Sequence, residues 1–233
     1  MPRTSRRRNS RRMRPNRGVS PLDNPAFRRW FGNSKVVDER GEPLVVYHGS
    51  MTPDFTQFDM DRVTDAWGAH FGTREAATTF TSPAIEKSPE ILSRHVRPFY
   101  LSLQNPLTMR DEGEEWLDGV LYQLRDRKVI KPEALEPLQA EMERARNAAF
   151  HATPDARFTS AMPKAQARFL RDLLLRLGYD GVKYENRYED VGSTSWIAFD
   201  PRQIKSATDN VGTYDPENPS ILKNGRRTSR RAR

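Results

Sequence analysis

The sequence contains no cysteine. Disulfides, thiolate nucleophiles, iron–sulfur clusters and Cys-based zinc sites are therefore excluded. No apolar run approaches the ~18 residues needed to cross a bilayer, so no transmembrane helix or membrane partner is expected. The N-terminus is basic but has no apolar stretch behind it, and it does not read as a secretory signal. Gly-x-Gly-x-x-Gly, Walker A, His-Glu-x-x-His and Gly-x-Ser-x-Gly motifs are also missing. The four histidines, His48, His70, His95 and His151, are widely spaced, and no metal is expected. With 36% apolar and 30% charged residues in 233, what remains is a globular, cytoplasmic domain with polar extensions.

Charge is unevenly placed. Residues 1–18 hold eight Arg and no acid, and residues 223–233 hold Lys223 and five Arg. Between them, residues 19–222 carry 25 basic and 31 acidic residues, a net charge of −6. The pI of 9.9 thus describes two basic tails on a mildly acidic body. Residues 1–20 have too few large apolar side chains to offset ordering entropy and are expected to be disordered, as is 223–233. Their composition fits binding of nucleic acid or another polyanion.

The ordered part is expected over 21–208, followed by an irregular, Pro- and Asn-rich segment from 209 to the basic end. Asn24-Pro25 opens a short helix with Phe27, Trp30 and Phe31 on its apolar side, ended by Gly32. Strands are expected at 35–38 and 44–47, forming a hairpin, then near 68–72 and over 97–103, the latter closed by Asn105-Pro106. Thr73 is a good N-cap for a helix over 74–80. Residues 111–177 read as a helical insertion in three pieces. Their buried faces carry Trp116, Val120 and Leu124, then Leu138 and Met142, then Leu170, Leu173, Leu174 and Leu177. Strands follow at 181–184, 195–199 and 203–206. Strands flanking a helical middle make an α+β class.

Three segments carry chemistry. Tyr47-His48-Gly49-Ser50 ends a buried strand. Its imidazole sits beside a glycine whose backbone another molecule can approach closely. In Ala69-His70-Phe71-Gly72-Thr73, successive strand side chains face opposite sides, so His70 and Phe71 cannot line one cleft. Phe80 lies on the helix that follows. Ser195 to Phe199 runs into Asp200-Pro201-Arg202-Gln203-Ile204-Lys205-Ser206.

As an ordered set, these segments resemble the ADP-ribosyltransferase superfamily on its diphtheria-toxin and poly-ADP-ribose-polymerase side. More closely, they are similar to the small transferase domains of phage and mobile-element polyvalent proteins. The resemblance rests on 34–38, 47–49, 70–73 and 199–206 and covers about 24–208. It implies a split antiparallel sheet gripping NAD. By this likeness His48 hydrogen-bonds a ribose of NAD and the Gly49 backbone pairs with the nicotinamide carboxamide. His70 and Phe80 take the aromatic positions beside the ring, and Tyr47, Ser50 and Phe71 complete the cofactor wall. The family's third-motif glutamate is replaced by Ser195, and its second-motif tyrosine by His70. Gln203, Glu185 and Glu189 are the candidate substitutes for the carboxylate. The implied function is metal-free mono-ADP-ribosyl transfer from NAD to a protein or nucleic-acid acceptor, in a bacterial host cell or packaged in a virion. The alternative is a degenerate fold acting as a nucleic-acid-associated protein through its Arg tails.

Overall fold

The computed structural model describes residues 21–52, 54–62, 67–81, 95–113, 116–152, 161–210 and 212–222, with the side chains at 116 and 118 apart. The expectations for 1–20 and 223–233, and for the Trp116 side chain, lie outside these residues. Helix α1 (Pro25–Phe31) begins where the Asn24 side chain accepts hydrogen bonds from the Ala26 and Phe27 amides. It ends at Gly32, whose φ of 56° suits glycine. Phe27, Trp30 and Phe31 bury against Tyr214, which returns from the C-terminal segment.

The expected hairpin over 35–38 and 44–47 is not a strand pair. It survives as one isolated bridge, Val37 to Pro43. Asp38 Oδ1 accepts the Arg40 and Glu42 amides, which folds 38–42 into a side-chain-closed turn instead of extending a ladder. The strand that follows is β1, Val46–Gly49.

Among the described residues seven strands form two sheets. β1 pairs antiparallel with β3 (Val96–Leu101), and β3 with β7 (Ile204–Ser206). The second sheet runs β2 (Ala69–Phe71), β6 (Thr194–Ala198), β5 (Gly181–Glu185) and β4 (Pro106–Arg110). β3 ends before Asn105-Pro106, as expected, but a strand that was not expected follows at once. Pro106 starts β4, a first strand position where a missing N–H is tolerated, and β4 pairs parallel with β5. A single bridge, Tyr47 to Gly72, joins β1 to the residue just past β2. The fold is α+β, with two sheets splitting apart on either side of that bridge.

Helix α2 (Arg74–Thr81) follows β2, and Thr73 Oγ1 accepts the Ala76 amide as its N-cap. Helices α3 (Trp116–Asp126), α4 (Leu135–Ala152) and α5 (Ala161–Arg176) occupy the helical middle. Val120, Leu124, Leu170 and Leu174 pack on Leu107, Val182 and Ile197, so this middle covers one face of the second sheet. Leu177 is the exception among its expected apolar positions. The helix stops at Arg176, and Leu177 turns outward at 38% exposure. The other face of the second sheet and the inner face of the first share a core of Val46, Phe71, Phe99, Leu101 and Trp196.

Candidate active site

Where the two sheets part, the three motif segments meet. Tyr47 exchanges main-chain hydrogen bonds with Gly72, at 2.8 and 3.0 Å. Main-chain groups two residues apart on a strand point to the same edge, so Gly49 directs its N–H and C=O to this side, away from β3. The side of Gly49 that a Cβ would fill is taken. Such an atom would lie 2.5 Å from the Ala77 carbonyl oxygen and 2.7 Å from Thr81 Cγ2. The close approach expected of a ligand is therefore made by α2, and the main-chain edge is what Gly49 leaves for one.

His48 is half-buried, its ring surrounded by Phe55, Phe58, Phe71 and Phe99 at centroid distances of 4.9 to 6.4 Å. Its Nδ1 lies 2.7 Å from the His70 carbonyl oxygen. A carbonyl only accepts, so Nδ1 carries the hydrogen. Desolvation, helped by the His70 and Arg97 charges and opposed by that hydrogen bond, lowers its pKa to about 4. The ring is thus neutral near pH 7, with an unprotonated Nε2 that can accept a hydrogen bond. Phe55 and Phe58 were not singled out as site residues. Their Phe-x-x-Phe spacing directly after the motif was the only signal in the sequence.

The alternation expected of His70 and Phe71 holds. Phe71 is 2% exposed and belongs to the shared core, so it is not a wall of an open cleft. His70 points to the opposite face, where its Nδ1 shares a 3.3 Å hydrogen bond with the Tyr184 hydroxyl. Tyr184 pairs with Ser195, and the Ile197 opposite His70 is on that face too. A Cβ on Gly72 would lie 2.9 Å from Ser195 Oγ and 3.2 Å from Ala76 Cβ. Phe80, 48% exposed, stands one turn beyond Ala76 on the same stripe of α2. Tyr47 is covered by the Arg74 guanidinium, 4.7 Å above its ring. Ser50 bonds the Thr52 carbonyl and takes the His95 side chain on its own, at 2.6 Å.

Of the candidate substitutes for the carboxylate, Gln203 is spent on the fold. Its Oε1 accepts the Phe199 and Asp200 amides and its Nε2 donates to the Asp180 carbonyl, completing a capping box with Asp200. The Asp-x-x-Gln spacing already carried that signal. Glu185 is exposed and alternates away from the Tyr184–Ser195 face. Glu189 lies in the loop before Ser195, but only its amide is engaged, by Asn186 Oδ1 at 2.9 Å. Ser195 itself is buried and accepts from Asn186 Nδ2 at 3.3 Å.

Among the described residues no cluster of three or more His, Asp or Glu side chains is placed to hold a metal ion. No helix among them is long and apolar enough to cross a membrane. A shallow hollow of about 450 Å³ opens between Gln57–Asp61, Arg171 and Pro201, and a second lies over Val37–Arg40 and Leu44. Neither has Gly49, Gly72 or Ser195 in its walls.

A family model described as ADP-ribosyltransferase in polyvalent proteins matches residues 38–214, which span the 38–42 turn, strands β1 to β7 and helices α2 to α5. No curated protein and no solved structure matches. A match over more than half of the chain, with its motif segments drawn to one sheet junction, places it in a family: the chain belongs to the ADP-ribosyltransferases of polyvalent proteins.

Proposed function

We propose that the protein is an NAD-dependent mono-ADP-ribosyltransferase whose site lies at the Tyr47–Gly72 junction. The observation that carries this reading is the Tyr47–Gly72 bridge, which draws the Gly49 main-chain edge, the His48–His70 hydrogen bond, and Gly72 with Ser195 behind it to one sheet junction. These groups fit NAD. Gly49 offers one N–H and one C=O, the complement of a carboxamide. His48 Nε2 accepts from a ribose hydroxyl, and its tautomer is fixed by the His70 carbonyl. Phe80 and His70 flank the ring position. When bound, NAD supplies an electrophilic C1′ with nicotinamide as leaving group, so the chain needs only to orient it and manage one proton.

The acceptor is a protein or nucleic acid. Residues 1–18 and 223–233 serve as the polyanion-binding tails of an ordered 21–208 domain, in a bacterial cytoplasm or a packaged phage particle. The second reading, a non-catalytic nucleic-acid-associated protein, draws on Ser195 standing where a carboxylate belongs.

His48→Asn tests the first reading. The asparagine amide still donates to the His70 carbonyl, while the Nε2 acceptor is lost. With labelled NAD and separate protein, RNA and DNA pools, the unaltered chain transfers label and the variant loses it by about two orders of magnitude. Equal transfer by both overturns the site. Salt-dependent nucleic-acid binding that vanishes on removal of both tails, with no NAD binding, establishes the second reading.

A further inference from the structure

We propose that Asp190 supplies the carboxylate that position 195 lacks and acts as the general base on the acceptor. The proposal rests on the transferase reading above. The loop 186–193 joins β5 to β6 and is tied down along its length. Buried Asn186 takes the amides of Tyr188, Glu189 and Asp190 on its Oδ1 and holds Ser195 Oγ with its Nδ2. Buried Asp111 accepts the Arg187 amide at 3.0 Å. The loop then reaches across to the start of α2, where Asp190 Oδ2 accepts from Thr73 Oγ1 at 2.5 Å. Thr73 directly follows Gly72, whose bare Cα faces Ser195 Oγ. A carboxylate is thus held at the start of α2, by the residue next to the glycine that faces Ser195.

Among the described residues Asp190 forms no ion pair, and its Oδ1 has no hydrogen-bond partner. Asp190 Oδ1 is therefore a fixed acceptor, held by the residue that follows the Gly72–Ser195 contact. As the acceptor hydroxyl oxygen bonds to C1′, Asp190 Oδ1 takes its proton. The C1′–nitrogen bond breaks with its electron pair going to the pyridinium nitrogen, and nicotinamide leaves neutral. The proton then passes from Asp190 to solvent. Water in place of the hydroxyl gives hydrolysis of NAD by the same step.

Substitution can separate charge from scaffold. Asp190→Asn still accepts from Thr73 and keeps the loop in place, but it cannot take a proton. Thr73→Val removes the hydrogen bond and leaves the charge. Nicotinamide release and label transfer are measured across pH for the full chain, with KM for NAD and the thermal midpoint of each variant. Asp190→Asn lowers kcat by about 10²-fold or more, abolishes the low-pH limb of the kcat profile, and leaves KM and the midpoint unchanged. Asp190→Glu recovers part of the rate, and Thr73→Val keeps the limb. Wild-type turnover by Asp190→Asn with its limb intact overturns the proposal but not the transferase reading, as does Glu189→Gln reproducing the whole loss. An unaltered chain that binds no NAD and releases no nicotinamide overturns both.

Discussion

An imidazole ringed by Phe55, Phe58, Phe71 and Phe99 loses most of its hydration, and a proton on it would be poorly solvated. His48 answers this by staying neutral and donating Nδ1–H to the His70 carbonyl. The consequence for stability has a definite sign. The unfolded chain takes up this proton near the ordinary value of 6.5, the folded chain only near 4. Between those values the unfolded state holds more protons, so stability falls as pH drops from 6.5 to 4. The shift is worth about 3 kcal/mol over that interval. Urea unfolding at pH 7 and pH 4 checks this against His48→Asn, in which other titrating groups cancel. The unaltered chain loses about 3 kcal/mol more than the variant. Equal losses would mean that the imidazole is already charged, or not buried, in the fold.

At the scale of elements, α2 packs against β1, and Gly49 seats it. A methyl group at 49 would meet a main-chain oxygen at 2.5 Å, an atom that cannot move without the helix. Gly49→Ala is therefore expected to lower stability by about 1–3 kcal/mol and to displace α2. A urea midpoint equal to that of the unaltered chain would show that α2 is not held there. The reason for that glycine was half legible in the sequence. A bare backbone was needed, but what approached it was a helix thirty residues on, a tertiary fact. Other elements divide the same way. Asn24-Pro25, Thr73 and the alternation of His70 with Phe71 are local rules, and each is met. β4 was missed because a strand beginning at proline draws its partner, β5, from beyond three helices. That Asp190 and not Glu189 meets Thr73 was not legible, because only the turn drawn by Asn186 decides between the two adjacent carboxylates.

In the whole molecule, the C-terminal segment ties the pieces around the site together. Ser206 donates to the Ile221 carbonyl, and Ile221 donates to Thr56 beside the Phe55–Phe58 cover of His48. Tyr214 closes the α1 cluster. Lys205, 0% exposed, spans the same interval by donating to the Asn218 and Ser220 carbonyls. Burial lowers its pKa to about 8, against the pull of Asp215 and Asp200. The sign is the same as for His48, because the folded value again lies below the unfolded one, but the window is alkaline. Below pH 8 the fold carries the cost of a desolvated ammonium. Between about 8 and 10.5 the unfolded chain keeps a proton that the folded chain has released, so stability rises with pH. A neutral amine still has two N–H donors for its two carbonyls. Lys205→Met therefore removes a penalty and two hydrogen bonds together at pH 7, but only the hydrogen bonds at pH 10. Its destabilisation relative to the unaltered chain is small at neutral pH and grows as pH rises. Cleavage by added protease within 212–222 rises in parallel, because the strap has lost its anchor. A deficit that shrinks toward pH 10 would mean that Lys205 is held as a charged group and that the C-terminal segment is fastened by other contacts.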